Sequence, residues 1–135
     1  MYRRSSLFFR VLTPAVLIFL LTGSGAFAQK ILTPEEYHIT REGGTETPFT
    51  GQYCNLFEPG IYLCICCGTP VFSSEAKYDS GSGWPDFYEV LTEGIIKYVE
   101  DFSSGQKQIE VKCKQCNAHL GHVFEDGPPP DYRRY

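Results

Sequence analysis

Apolar residues occur in one long run near the N-terminus and afterwards in short stretches separated by turn residues. The long run, residues 11–21, follows Arg3, Arg4 and Arg10 and precedes an Ala-Phe-Ala cleavage pattern at residues 26–28. This order is typical of a secretory signal peptide, and the run is too short for a comfortable membrane span. We therefore expect cleavage after Ala28, a periplasmic or secreted product and no stable membrane insertion. The alternative is an uncleaved anchor.

The pattern after residue 28 predicts one mainly β domain, residues 29–135, with a single helix at its start. Thr33 is placed to cap that helix, Pro34 takes its first position, Glu36 completes a capping box, and Gly43 with Gly44 ends it. Strands are predicted where short apolar or partly alternating stretches meet turn residues, and a Ser-Ser-Gly sequence at 103–105 predicts a hairpin. The predicted strands are 61–64, 71–72, 87–91, 95–99, 108–112 and 119–124.

Charge and size limit the function classes. The predicted signal carries three of the twelve cationic residues and none of the sixteen acidic ones, so the mature domain has a net charge of −7. Phosphate contacts need Lys and Arg, so this acidic domain is not expected to bind nucleic acid. A domain of this size has a marginal hydrophobic core, and a bound metal is a common supplement.

Four cysteines form two Cys-x-x-Cys pairs, Cys64 with Cys67 and Cys113 with Cys116. Each pair can direct two thiolates at one centre, and two pairs complete the tetrahedral Cys₄ arrangement of structural zinc. The 45 residues between the pairs must then form a subdomain whose ends the metal joins. Two disulfides are the alternative, because export implies an oxidising compartment. Cys66 leaves a second ligand pairing open, although glycine directly after Cys67 favours the Cys-x-x-Cys pairing.

Other candidate functional residues lie outside the cysteine pairs. Segment 80–85 surrounds the only tryptophan, Trp84, with two glycines and a proline, which suggests a fixed and closely approached loop. His119 and His122 follow the second cysteine pair, and on a regular strand they would point to opposite faces unless Gly121 forms a bulge. Taken alone, each of these residues is as readily explained by packing or hydrogen bonding as by catalysis. Cys54 is either a small buried hydrophobe or a redox thiol.

Four motifs together carry a family resemblance that none of them carries alone. In order, they resemble the type B methionine-R-sulfoxide reductases (the SelR-like domain), and the match runs from about residue 32 to residue 135. The motifs are 44–53 (GTETPFTG-x-Y), 62–72 (Y-x-C-x-x-CG-x-P-x-F), 80–87 (SG-x-GWP-x-F) and 113–128 (C-x-x-C-x-AHLGHVF-x-DGP).

The resemblance implies a fold of two antiparallel sheets joined by zinc, and repair of oxidised proteins by reduction of the R epimer of methionine sulfoxide. It implies a cysteine thiolate that attacks the sulfoxide sulfur and a thioredoxin-like electron donor that restores the enzyme. Trp84 would hold the substrate methyl group, and Arg134 would lower the pKa of the nucleophile. His119, His122 and Asp126 would bind the sulfoxide oxygen and help to protonate it.

Two departures from the family pattern matter for activity. The family places its nucleophile in an Arg-x-Cys-x-Asn segment, and Arg134-Tyr135 matches only the first two positions, so this chain is expected to end just before the catalytic cysteine. We therefore expect it to be inactive unless extended. Ser82 stands where many relatives carry the resolving cysteine, which makes Cys54 the candidate. The other readings are an exported zinc module that binds methionine-rich partners without catalysis and a generic zinc or redox-buffer protein.

Overall fold

A computed structural model describes residues 31–135. None of the helices in this range has the length and hydrophobicity of a membrane span. The predicted signal segment, residues 1–28, lies outside the described residues. The one α-helix of the described range, α1 (Pro34–Glu42), begins where the capping pattern predicts. Thr33 Oγ1 accepts a hydrogen bond from the Glu36 backbone N–H at 3.2 Å, and the Glu36 carboxylate accepts one from the Thr33 N–H at 2.9 Å. Gly43, in the left-handed conformation with φ 73°, ends the helix.

The strands form three small antiparallel sheets within the described residues, where the resemblance implied two. Strand β1 (Ile61–Leu63) pairs with β2 (Pro70–Ser73), and β3 (Lys77–Tyr78) pairs with β4 (Asp86–Phe87). The largest sheet contains β5 (Ile96–Asp101), β6 (Gln108–Cys113) and β7 (His119–Val123), in that order. The prediction of a mainly β fold with antiparallel sheets and a short N-terminal helix is confirmed.

A bulge in β7 sets the direction of the two histidines. Val111 of β6 lies opposite Gly121, but the next β6 residue, Lys112, lies opposite His119, so Leu120 has no partner of its own in the ladder. Gly121 has φ 146°, a value that side chains rarely adopt, and this explains why glycine occupies the position. The sequence left a regular strand and a bulge at Gly121 both open, and the structure has the bulge.

The C-terminal residues join two sheets. Arg134 exchanges two backbone hydrogen bonds with Phe124, of 2.8 and 2.9 Å, just beyond the end of β7. Tyr135 exchanges two more with Phe87 of β4, of 3.0 and 2.9 Å. The strand pairing of β3 and β4 is thereby connected to the three-stranded sheet.

The hydrophobic core lies around the cysteine pairs. Its fully buried members come from β2, β5, β6 and the two cysteine loops: Cys64, Cys66, Val71, Ile96, Val111, Cys113 and Ala118. Three of these seven residues are cysteines, and two of them belong to the predicted ligand set. A metal bound there would therefore act from inside the core.

The prediction of a strand at 87–91 is largely wrong, because β4 ends at Phe87. The following backbone N–H groups find unrelated partners: Tyr88 donates to the Ala76 carbonyl at 3.0 Å and Leu91 to the Val71 carbonyl at 2.8 Å. No single neighbouring strand accepts both, so a ladder cannot continue. Apolar residues in this stretch secure an irregular connection instead.

Candidate active site and metal centre

The four predicted ligand cysteines lie at one point. Their Sγ atoms all fall within 4.8 Å of one another, with Cys64 to Cys116 and Cys67 to Cys113 each at 3.6 Å. Tetrahedral zinc with bonds of about 2.3 Å requires sulfur-to-sulfur distances of about 3.8 Å. All six cysteines of the chain lie in the described range, and none is in a disulfide. The cluster therefore has the geometry to hold a metal ion.

Both cysteine loops are built by the same backbone pattern. The carbonyl of Cys64 accepts from the Gly68 N–H at 2.7 Å, and that of Cys113 accepts from the Asn117 N–H at 2.9 Å. Gly68 and Asn117 both adopt the left-handed conformation, with φ of 72° and 64°. These two residue types tolerate that conformation best, so each sequence is suited to a tight turn directly after its second cysteine.

The thiols differ in their acidity. Burial raises the pKa of Cys64 and of Cys116. Burial acts in the same direction on Cys67, but hydrogen bonds from Thr69, whose Oγ1 lies 3.1 Å from the sulfur, and from the thiols of Cys116 and Cys64 together outweigh it and lower the pKa of Cys67 to about 7. A divalent cation at the centre would favour the thiolate form of all four.

The remaining two cysteines stand apart from this centre. Cys66 is 5 % exposed and packs in the core, and it is not part of the metal-ligating group of the described residues. The pairing of Cys64 with Cys67, rather than with Cys66, is therefore the one that the structure supports. Cys54 is half-buried, and its backbone carbonyl accepts a hydrogen bond from Lys77 at 2.9 Å.

A cleft of about 650 Å³ collects most of the other predicted site residues. Trp84, His119, His122 and Arg134 all line it, although they come from a loop, from β7 and from the C-terminal segment. Asp126 is exposed and reaches the cleft indirectly, through its contact with Arg134. The structure thus brings together the five residues that spacing alone could not connect.

Each cleft histidine is held by a carboxylate of the same sheet: His119 by one on the adjacent strand β6, and His122 by one on β5, at the far side of β6. His119 Nδ1 lies 2.7 Å from Glu110 Oε1, and His122 Nε2 lies 2.8 Å from Asp101 Oδ2. The hydrogen bond from His122 is the largest cause of the lowered pKa of Asp101, about 2. Burial opposes the shift at Glu110, but hydrogen bonds from His119 and Lys112 lower the pKa of that carboxyl as well.

These pairings fix both imidazole rings, whose centroids are 5.4 Å apart. A carboxylate on one ring nitrogen sets the tautomer and leaves the other nitrogen to face a bound molecule. Sequence analysis missed Glu110 and Asp101 as members of the site. Their place follows from the registers of β6 against β7 and of β5 against β6, and no local pattern in the sequence reports those registers.

The Trp84 loop is fixed against the segment that follows α1. Trp84 Nε1 donates to the Glu46 carbonyl at 3.1 Å, and the Phe49 N–H donates to the Gly83 carbonyl at 2.7 Å. A Cβ atom at Gly83 would lie 2.7 Å from Cβ of Pro48, so only glycine fits there. The prediction of a closely approached loop is confirmed.

Arg134 is held by two carboxylates. Its guanidinium donates twice to Asp126, with both distances 2.8 Å, and once to Asp86 Oδ1 at 3.2 Å. The pKa of Arg134 is raised, chiefly by the bond to Asp126, and the pKa of Asp126 is lowered by the same bond. Asp86, only 3 % exposed, is a further site residue that sequence analysis missed.

Comparison with protein families gives one match, to the SelR domain, over residues 32–135. Among curated proteins, the chain is 53 % identical over 107 residues to methionine-R-sulfoxide reductase B3, mitochondrial, of Mus musculus. That alignment covers 79 % of this chain and 42 % of the mouse protein, so the chain spans less than half of that relative's length.

Bacterial relatives are similar at the same level. The chain is 56 % identical over 107 residues to the peptide methionine sulfoxide reductase MsrB of Acinetobacter baylyi and 55 % identical to that of Acinetobacter baumannii. Each alignment covers 79 % of this chain and 77 % of the relative. The residues matched by the SelR domain, 32–135, include both the cysteine cluster and the cleft.

Proposed function

Because the chain belongs to the SelR domain family, we propose that it is a peptide-methionine (R)-S-oxide reductase that repairs oxidised methionine with electrons from thiols. The observation that carries the proposal is the cleft. One indole, two carboxylate-held imidazoles and a guanidinium line a single cavity, although 34 residues lie between Trp84 and His119. A non-catalytic module that binds methionine-rich partners is not favoured, because the relatives are named as reductases.

In the proposed reaction, a cysteine thiolate attacks the sulfoxide sulfur as the oxygen is protonated. The attack forms a bond between the two sulfur atoms, and the protonated oxygen leaves as water. A water molecule then attacks the cysteine sulfur and displaces methionine, so the methionine sulfur is reduced and the cysteine is oxidised to a sulfenic acid. Two donor thiols then reduce the sulfenic acid to the thiol, forming one disulfide and one water. A thioredoxin-like protein or a small dithiol would supply those electrons.

The cleft residues take the roles that this reaction needs. Trp84 would pack against the substrate methyl group, which is apolar and matches an aromatic face. His119 and His122, with Asp126, would bind the sulfoxide oxygen, directly or through water, and deliver the proton. Arg134 would favour the thiolate form of the attacking cysteine by its charge.

In the family pattern Arg-x-Cys-x-Asn, with Arg134 as its first residue, the attacking cysteine would take the position next to Tyr135. Tyr135 lines the cleft, and its backbone is hydrogen-bonded to that of Phe87. The backbone of Arg134 is hydrogen-bonded to that of Phe124. A residue added after Tyr135 would therefore lie next to the cleft. The four clustered cysteines would be the ligands of a metal ion, and Cys66 is in the core. Cys54 remains the candidate resolving thiol.

We propose that the cysteine cluster holds one structural zinc ion through Cys64, Cys67, Cys113 and Cys116. The soft thiolate ligands and the tetrahedral arrangement of their Sγ atoms support this choice, since both suit zinc. The zinc would join the two ends of the 45-residue segment between the pairs and would take no part in the reaction. Its contribution would be to the stability of a domain whose core is small.

The test of the function compares three zinc-loaded polypeptides. They are the 135-residue chain, the chain extended by Cys-x-Asn and a final strand, and the same extension with Ser for Cys. With dithiothreitol as reductant, we expect methionine-R-sulfoxide turnover only in the cysteine form. Robust turnover by the unextended chain would show that the nucleophile is misplaced, and a silent, folded cysteine form would contradict the proposed activity.

We also propose export, with cleavage after Ala28 and a periplasmic or secreted product. The support is the arginine-led apolar run at 11–21 and the Ala-Phe-Ala pattern that follows it. N-terminal sequencing of the exported protein is expected to begin at Gln29. Recovery of the intact chain from the cytosol would contradict this proposal.

A further inference from the structure

Asp86 is a buried carboxylate with three partners. It is 3 % exposed, and its Oδ2 accepts hydrogen bonds from Ser80 Oγ at 2.6 Å and from Ser82 Oγ at 2.5 Å. Its Oδ1 accepts from Arg134 Nη1 at 3.2 Å. A buried charge is strongly unfavourable unless it is paired and hydrogen-bonded, and these three contacts meet that requirement.

The partners of Asp86 belong to two different parts of the cleft. Ser80 and Ser82 lie in the Trp84 loop, and the Trp84 backbone N–H donates to Ser82 Oγ at 3.3 Å. Arg134 lies in the C-terminal segment, where Asp126 already gives it a two-point contact. Asp86 is therefore not needed to pair Arg134, but it alone of these residues bonds to both the loop and the guanidinium.

From this arrangement we propose that Asp86 is a positioning residue that ties the Trp84 loop to Arg134. Through this tie the indole that receives the substrate methyl group and the guanidinium beside the reacting sulfur keep one relative geometry. The inference rests on the proposed function, which assigns those roles to Trp84 and Arg134. Misplacement of about 1 Å in a reacting geometry can lower a rate about a hundredfold, so a rigid link between the two groups has a direct catalytic value.

The only tryptophan of the chain makes the proposal measurable, because its fluorescence reports the loop without a label. Two observables are needed: the acrylamide quenching constant of Trp84, and the dissociation constant of N-acetyl-L-methionine-(R)-sulfoxide methylamide. Zinc content and melting temperature are recorded for each variant. Variants are then compared only if they hold zinc and melt as the unsubstituted protein does.

Three variants and one control separate the tie from a general packing role. The double variant Ser80→Ala with Ser82→Ala removes the hydrogen bonds to the loop, and Asp86→Ala removes those to the loop and to Arg134. Asp86→Asn removes the charge but keeps the shape and one acceptor oxygen for Arg134, and its NH2 group can donate to a serine hydroxyl. Asp79→Asn is the control, because Asp79 is an exposed carboxylate in the same loop whose one hydrogen bond within residues 31–135 comes from the Gly81 N–H, at 2.8 Å.

We expect the serine double variant and Asp86→Ala to raise the quenching constant and to weaken probe binding about tenfold or more. Asp86→Asn is expected to recover much of both values, and Asp79→Asn to match the unsubstituted protein. If Asp86→Ala does not fold, the serine double variant still tests the role of Asp86, since it removes two hydroxyl groups and leaves the carboxylate in place.

A folded, zinc-loaded serine double variant with unchanged quenching and unchanged affinity would overturn the proposal. Failure of the unsubstituted protein to bind the sulfoxide probe would instead contradict the proposed function. The quenching measurement needs no substrate, so it judges the role of Asp86 separately from that outcome.

Discussion

The metal centre and the cleft of this domain are assembled in opposite ways. Each half of the metal centre is a loop of four residues with its own turn hydrogen bond, so only one long-range approach is needed to complete it. The cleft draws Trp84, His119 and Arg134 from three separate parts of the chain, and each is held by a partner on yet another element. The metal centre therefore depends on local sequence, and the cleft depends on how distant segments and paired strands are aligned with one another.

This difference implies a difference in how each site fails. Removing one cysteine of the cluster should disrupt the core, because two of the seven buried core residues, Cys64 and Cys113, belong to the cluster. Removing one side chain from the cleft leaves the sheets and the cysteine loops in place. The two sites should therefore be separable by substitution, with stability lost at one and chemistry lost at the other.

The largest effect is expected from Cys113→Ser. Cys113 is fully buried and is a ligand of the proposed zinc site, so its loss should abolish zinc binding and, with it, the folded state. Zinc content and thermal unfolding followed by circular dichroism measure the effect. Its matched control is Cys66→Ser, a change of the same chemistry at a buried cysteine that lies in the core but outside the ligand group.

Cys66→Ser is expected to keep one zinc per chain and to lower the melting temperature only moderately, since it introduces one buried hydroxyl. Equal zinc loss in the two variants would contradict the assignment of the ligands. So would a well-folded, zinc-free Cys113→Ser protein with a disulfide among the remaining cysteines.

A smaller effect on folding but a large one on rate is expected from His122→Asn in the cysteine-extended form. General acid catalysis typically contributes about a hundredfold or more, and kcat/KM should fall by that order while zinc content stays unchanged. His38→Asn is the control: His38 also pairs with a carboxylate, Glu42, at 2.8 Å, but on the exposed face of α1 and outside the cleft.

The control should change kcat/KM by less than about twofold, because exposed substitutions away from a site have small effects. A comparable loss in both histidine variants would mean that His122 acts through general stability. Loss of zinc from His122→Asn would mean that the two sites are not separable.

Features set by neighbouring residues could be predicted from the sequence. The capping box of Thr33 and Glu36, the glycine that ends α1, the hairpin before β6 and both cysteine loops follow from side chains within a few positions of one another. Gly121 left a bulge and a regular strand both open, and only the register of β6 against β7 decides between them.

Features set by long-range packing could not be predicted. The irregular path after Phe87 depends on which carbonyls, those of Ala76 and Val71, happen to lie within reach. The carboxylates Glu110 and Asp101 look like ordinary polar strand positions until the register places them against the histidines. The family resemblance identified the cleft residues as a group, but the residues that hold them in place required the structure.

The central claim is that the cleft belongs to a reductase specific for the R epimer, and product stereochemistry tests it most directly. The cysteine-extended, zinc-loaded protein is incubated to completion with dithiothreitol and a peptide that contains both epimers of methionine sulfoxide. Separation of the remaining peptides on a chiral column should show the R epimer fully consumed and the S epimer untouched. Consumption of both epimers at equal rates, or of the S epimer alone, would contradict the account.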